Sequence, residues 1–167
     1  MGEVNGKKVN IDVVILSGHA NADVFRIYTN ADDSAKNVRI NADFINSLDE
    51  KSMAYLMLMG CNMGSSSRDA GKTTAGNENL ATKVINGKHG IGKLIAADGS
   101  TTTYPSGHLA AGVPWGMSWS QYREYIRVHL VGGYPISDGY KLYTKDGNVK
   151  ILGRMFNSLL DLIQAAG

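Results

Sequence analysis

The chain has a single cysteine, Cys61. An internal disulfide and a multi-thiolate metal site are both excluded, and this thiol has to be read by itself. Runs of five or more like charges are missing, and 17 Lys and Arg stand against 15 Asp and Glu. That balance offers neither a nucleic-acid stripe nor a polybasic membrane anchor. No window approaches ~18 consecutive apolar residues, and Met1 to Lys8 lacks an apolar stretch of signal-peptide length. The sequence reads as a soluble domain, or as a soluble piece of a longer, exported protein, and its compartment stays open. The four histidines, His19, His89, His108 and His129, lack metal-ligand spacing such as H-x-x-x-H, so no metal is expected. A phosphate loop fails on spacing as well: ahead of Gly71-Lys72-Thr73 the pattern needs glycine at a position held by Ser66. No cofactor is expected.

The chain holds 167 residues, 43% of them hydrophobic and 19% charged, enough to fill one core, with no interdomain linker or internal repeat. One domain spanning 1–167 is expected. Twenty glycines, against a usual ~7% of residues, imply many tight turns.

Val9 to Ser17 alternates and then becomes continuously apolar, which predicts a strand buried on both faces, ending at Gly18-His19. Phe25 to Thr29 and Asn37 to Ala42 flank a turn-rich segment and predict a small antiparallel flap. Asn41 to Leu48 begins with a helix cap and places Phe44, Ile45 and Leu48 on one side. Met53 to Met59 is a second buried strand, ending at Gly60-Cys61. The polar loop Ser65 to Gly76 leads to a helix over Asn77 to Ile85, and Lys93 to Ala97 is a third strand, stopped by Asp98-Gly99.

Beyond it, Ser100 to Ile136 reads as irregular apart from a helix over Ser118 to Leu130, with Trp119, Tyr122, Tyr125, Ile126 and His129 on one face. Lys141 to Thr144 and Asn148 to Leu152 flank Lys145-Asp146-Gly147 as a hairpin. Met155, Leu159, Leu162 and Ile163 recur at helical spacing in a final helix. The alternation of strands and helices predicts an α/β fold: a mostly parallel sheet flanked by helices, with a small antiparallel flap.

Parallel strands put Gly18-His19 and Gly60-Cys61 at one rim, where open α/β sheets hold ligands. A thiol attacks as its thiolate, and an imidazole nearby makes one. His19 and Cys61 are therefore the candidate dyad. An inert core cysteine would sit inside the apolar run, whereas Cys61 stands just past it, between Gly60 and Asn62. The N–H groups near Ala20 and Cys61 are the candidate oxyanion donors.

Two buried strands ending in Gly-His and then Gly-Cys, separated by a flap and a helix, resemble the caspase-hemoglobinase cysteine peptidases. Leu58 to Gly64 (L-M-G-C-N-M-G) is most similar to the cysteine block of their CHAT-like members, and Leu94 to Gly99 (L-I-A-A-D-G) looks like the strand that follows. The resemblance spans about Val9 to Gly99. It implies a caspase-like fold and a cysteine endopeptidase with His19 as general base, Cys61 as nucleophile, and N–H groups around Gly18 to Ala20 and at Cys61 as oxyanion hole. The expected partner is a peptide or protein substrate, and cleavage within a larger polypeptide of its own is one form this can take. Family members usually have His-Gly where this chain has His19-Ala20. They also carry one or two strands before the histidine strand, so the chain is either a fragment lacking N-terminal strands or a sheet completed in another way. The alternative is a catalytically inactive module of the same fold that serves binding or structure.

Two expectations concern ligands. Met59, two residues before Cys61 and on its face of the strand, lies beside the pocket for the residue preceding the cut bond. A methionine gives a buried cation no partner, so cleavage after an uncharged residue such as Leu, Met or Ala is expected. Asp98, at the end of the next strand, is either the nearby carboxylate that would reverse this preference or a turn residue of Asp98-Gly99. In toxin self-cleaving relatives a basic flap binds the polyanion inositol hexakisphosphate; Lys141, Lys145, Lys150 and Arg154 read instead as an ordinary solvated hairpin.

Overall fold

β-branched and long apolar side chains dominate three seven- or eight-residue stretches, and each becomes a strand of one central sheet. The computed structural model describes residues 2–4, 6–9, 11–21, 23–27, 38–47, 53–64, 79–87, 91–113, 116–131 and 138–167. In chain order the elements are β1 (Gly2–Val4), β2 (Lys7–Val9), β3 (Ile11–Ser17), β4 (His19–Ala20), β5 (Phe25–Ile27), β6 (Val38–Ile40) and α1 (Ala42–Ser47). Then come β7 (Met53–Met59), α2 (Leu80–Ile85), β8 (Ile91–Asp98), β9 (Thr101–Thr103), β10 (Leu109–Ala111) and α3 (Trp119–Val131). The chain ends with β11 (Gly139–Thr144), β12 (Val149–Gly153), β13 (Met155–Phe156) and α4 (Leu159–Ala166).

The expectation of a mostly parallel sheet is overturned. The five-stranded sheet has the order β12-β11-β8-β7-β3. Only β3 with β7 and β7 with β8 run parallel; β11 is antiparallel to both β8 and β12. The smaller sheets, β1-β2, β4-β5-β6 and β13-β10-β9, are antiparallel throughout. The sheet is mixed for a local reason: a parallel neighbour needs a crossover of about a dozen residues. Here β11 and β12 are joined by a tight turn in which the Gly147 N–H donates to the Thr144 carbonyl and Gly147 takes a φ of 83°.

Helices cover both faces. α1 and α2 pack with Leu56, Leu58, Leu94, Ala96 and Tyr143, and α2 is started by Asn79, whose side chain accepts the Thr82 N–H at 3.0 Å. α4 lays Leu162 and Ala166 on Met57, Met59, Ile95 and Tyr140. A third cluster gathers Tyr122 and Ile126 of α3 with Tyr104, Ala110 and Val113.

Several local expectations change. β3 is an outer strand of its sheet, and Ile15 is 43% exposed instead of buried on both faces. Phe44 of α1 is exposed while Ala42 and Ile45 are buried. Met155 belongs to β13 and not to the last helix. The segment read as irregular holds β9 and β10. Leu48, the loop 65–76, His89 and the His129 side chain lie outside the described ones.

Candidate active site at the carboxyl ends of the parallel strands

Parallel pairing aligns Ser17 of β3 with Met59 of β7, and the Gly18 N–H donates to the Met59 carbonyl at 3.4 Å. The two chains therefore leave the sheet side by side, one into His19 and the other into Cys61. Space at this exit is tight. A Cβ on Gly60 would overlap the Met63 Cε, stand 2.7 Å from the Ala20 Cβ and 3.0 Å from the Gly18 carbonyl oxygen.

Past Cys61 the chain reverses through Asn62, which holds a left-handed φ of 61°, a conformation asparagine tolerates better than most residues. The reversal is pinned on both sides. Asn62 and Gly64 each donate their N–H at 2.9 Å to carbonyls of the β8 end, Gly99 and Ala97 respectively. The Met63 side chain is fully buried, and its carbonyl accepts the Ala81 N–H of α2 at 3.1 Å. The Tyr143 hydroxyl donates to the Gly64 carbonyl at 2.8 Å. Cys61 is thus held half-buried at the crest of an immobilised turn.

Both candidate groups open into one cleft of about 460 Å³. Its walls are Ser17, Gly18 and His19 on one side, Met59 and Cys61 at the floor, and Ser100 to Thr103 with Val113 opposite. His19 is exposed in β4 and sits opposite Arg26 in the hairpin. Among the described residues that line it, His19 and Cys61 alone carry an ionisable side chain.

Backbone alternation tells which groups face the cleft. In an antiparallel ladder, hydrogen-bonded and non-hydrogen-bonded pairs alternate. The Gly112 N–H donates to the Ser100 carbonyl at 2.7 Å and the Tyr104 N–H to the His108 carbonyl at 2.9 Å, while Thr101 and Thr103 sit opposite Ala111 and Leu109. Thr101 and Thr103 are therefore the non-bonded members of the β9–β10 ladder, and their N–H and C=O groups point away from β10. Thr101 bears this out by donating its N–H to the Cys61 Sγ at 3.5 Å. By the same alternation, the Asn21 N–H donates to the Val24 carbonyl at 3.0 Å, so Ala20 turns its N–H away from β5. Ala20 stands beside the cleft, not on its wall.

Two buried tyrosines fix β10 from behind: the Tyr122 hydroxyl donates to the Ala111 carbonyl and the Tyr140 hydroxyl to the Ala110 carbonyl. Burial pushes both phenols well above their ordinary titration range, as it does for Tyr143.

Met59 lines the cleft. Asp98 does not line it. Its carboxylate accepts the Asp138 N–H at 3.1 Å and lies 4.0 Å from the buried Lys141 ammonium, which also pairs with Asp138 at 2.8 Å. Lys141 and Lys150 of the C-terminal hairpin do not converge either. Lys141 and Lys150 lie on opposite faces of the β11–β12 pair, and Lys150 donates to the Ala165 carbonyl at 3.0 Å. Among the described residues no group of three or more His, Cys, Asp or Glu side chains comes together. The wall that sequence reasoning missed is Ser100 to Thr103; the β-branched run Thr101-Thr102-Thr103 was its signal.

Comparison with family models, with curated proteins and with solved structures finds no match for this chain.

Proposed function

We propose that the protein is a cysteine endopeptidase in which His19 is the general base and Cys61 the nucleophile. One observation carries the reading: an imidazole and the lone thiol, far apart in sequence, enter the same cleft from the ends of two adjacent parallel strands. The Gly-His and Gly-Cys blocks that resemble the caspase-hemoglobinase peptidases support the same activity.

In this mechanism the Cys61 thiol proton passes to the His19 imidazole, and the sulfur bonds to the substrate carbonyl carbon while the C=O π pair moves onto oxygen. The N–H groups of Ala20 and Cys61 are the proposed donors to that oxyanion. Collapse breaks the C–N bond, and the leaving amine takes the proton from the imidazolium. Water then attacks the thioester, His19 accepts its proton, and the thiol is restored as the acid product leaves.

The substrate main chain fits the outer side of β9. The Thr101 carbonyl and the Thr103 N–H and carbonyl point outward, so an extended peptide would add as a further strand and bring a carbonyl to the sulfur. Met59, Val113 and the hydroxyl-bearing walls offer no partner to a buried charge, which would cost several kcal/mol unpaired. The preferred residue before the cut bond is uncharged.

A mixed peptide library read by mass spectrometry tests both points. The expected result is cleavage after Leu, Met or Ala, abolished by Cys61→Ala and slowed about 100-fold or more by His19→Ala. Asp98→Asn should leave the preference as it is. Dominant cleavage after Arg or Lys would refute the specificity argument, and no cleavage that depends on Cys61 would refute the activity.

A further inference from the structure

The contact between β9 and the thiol goes beyond orienting a wall. We propose that the backbone N–H of Thr101 is a catalytic group, which stabilises the Cys61 sulfur as thiolate and fixes its direction toward the substrate carbonyl; this rests on the peptidase reading above. Three observations carry it. The Thr101 N–H donates to Sγ at 3.5 Å. It can do so because Thr101 is a non-bonded member of the β9–β10 ladder, so the donation costs the sheet nothing. The donor is also rigidly held: β9 is paired to β10, and β10 is tied from behind by Tyr122 and Tyr140, while the sulfur's own turn is tied to Ala97 and Gly99 just upstream on the same segment.

A hydrogen bond to the charged form of an acid favours that form, and a fixed amide gives it without reorganisation during the reaction. As Cys61 gives its proton to His19, charge grows on sulfur, and the Thr101 N–H already points at it. When sulfur bonds to carbon and the charge moves to the carbonyl oxygen, the same hydrogen bond weakens. The amide thereby favours formation of the nucleophile, whereas the N–H groups of Ala20 and Cys61 act in the next step. The division of labour along β9 is clean: the Thr101 N–H serves the sulfur, and the Thr101 carbonyl and Thr103 serve the peptide.

The obvious variant is Thr101→Pro, which deletes this one donor. Proline is accommodated on an outer strand where the lost N–H faces away from the ladder. Iodoacetamide alkylation of Cys61 across a pH series is the first readout, with folding checked by circular dichroism. The expected result is that the half-maximal pH moves upward and that the rate at neutral pH falls about tenfold or more relative to the native sequence. A folded Thr101→Pro variant alkylated at the native rate with an unmoved profile would overturn the proposal.

The second readout needs no change at Thr101. In the ¹⁵N-labelled protein its amide proton should shift in step with the alkylation profile, and the shift should vanish in Cys61→Ala. An amide that stays still while the thiol titrates would likewise overturn it. If alkylation is indifferent to His19→Ala while the Thr101 amide does titrate, the amide's hold on the sulfur stands and the peptidase reading falls.

Discussion

At Gly60 a single methyl group decides whether the cysteine turn closes. Its Cβ would enter space held by Met63, which is fully buried, and by the Ala20 Cβ on the strand that carries His19. The Met63 methyl ends a flexible side chain and can shift, but the Ala20 Cβ can retreat only by moving the backbone that carries the histidine. Gly60→Ala is expected to destabilise the fold by about 1–3 kcal/mol, as overpacking does, and to slow Cys61 alkylation. Urea melts and labelling rates check the two effects. Asn62 behaves in the opposite sense. Its φ of 61° suits glycine, so Asn62→Gly should be tolerated and Asn62→Val should cost about 1–2 kcal/mol in the same melts. Gly60 was legible in the sequence, as a glycine directly before a candidate group, whereas the left-handed turn at Asn62 was not read from it. Asp98 was not, because what claims its carboxylate is Lys141 together with the Asp138 N–H, and no local pattern brings residues so distant in sequence together.

At the scale of elements, pattern served where neighbours lie close in sequence and failed where they do not. Asn41 caps α1 by accepting the Phe44 N–H at 2.9 Å, and the Lys145-Asp146-Gly147 turn joins its two strands as expected. β3 is the counterexample. Val13, Val14, Ile15 and Leu16 read as a strand buried on both faces, and the strand does run parallel to β7, but it occupies an outer place in the sheet. Apolar content is local, whereas position in a sheet is set by every other strand. The triplet Thr101-Thr102-Thr103 was passed over because three residues are too short for a periodicity, although it supplies the cleft's opposite wall. The last helix carries a sharper test. Leu162 of α4 is fully buried against Met57, Ile95 and Tyr140, so Leu162→Ala should cost about 2–5 kcal/mol and lower the Tm, leaving alkylation of Cys61 in the folded fraction at the native rate.

The whole molecule is a mixed sheet because β11 enters antiparallel beside β8 and turns directly into β12. The hairpin was visible in sequence; what it meant for the sheet was not, since nothing local said that it would pair with β8. The interior is rich in phenols. Tyr104, Tyr122, Tyr140 and Tyr143 are buried, and burial raises the titration of all four above the ordinary tyrosine value of about 10. Folding therefore favours the protonated phenols. Their contribution to stability is complete below about pH 10 and is lost as the pH rises above it toward the folded-state values. From neutral pH upward, the buried phenols should leave urea midpoints level to that point and then lower them, with ionisation of these tyrosines, followed at 295 nm, coinciding with unfolding. Midpoints that hold steady through strongly alkaline pH would contradict the burial argument.

The central claim, that Cys61 is a nucleophile activated by His19 toward a bound peptide, is tested most directly with a peptidyl acyloxymethyl ketone ending in leucine, its adduct located by mass spectrometry. The account predicts one adduct, on Cys61, that saturates with probe concentration and forms about 100-fold or more slowly in His19→Ala. Slow, unsaturable labelling at the same rate in the native protein, in His19→Ala and in the urea-unfolded chain would contradict it.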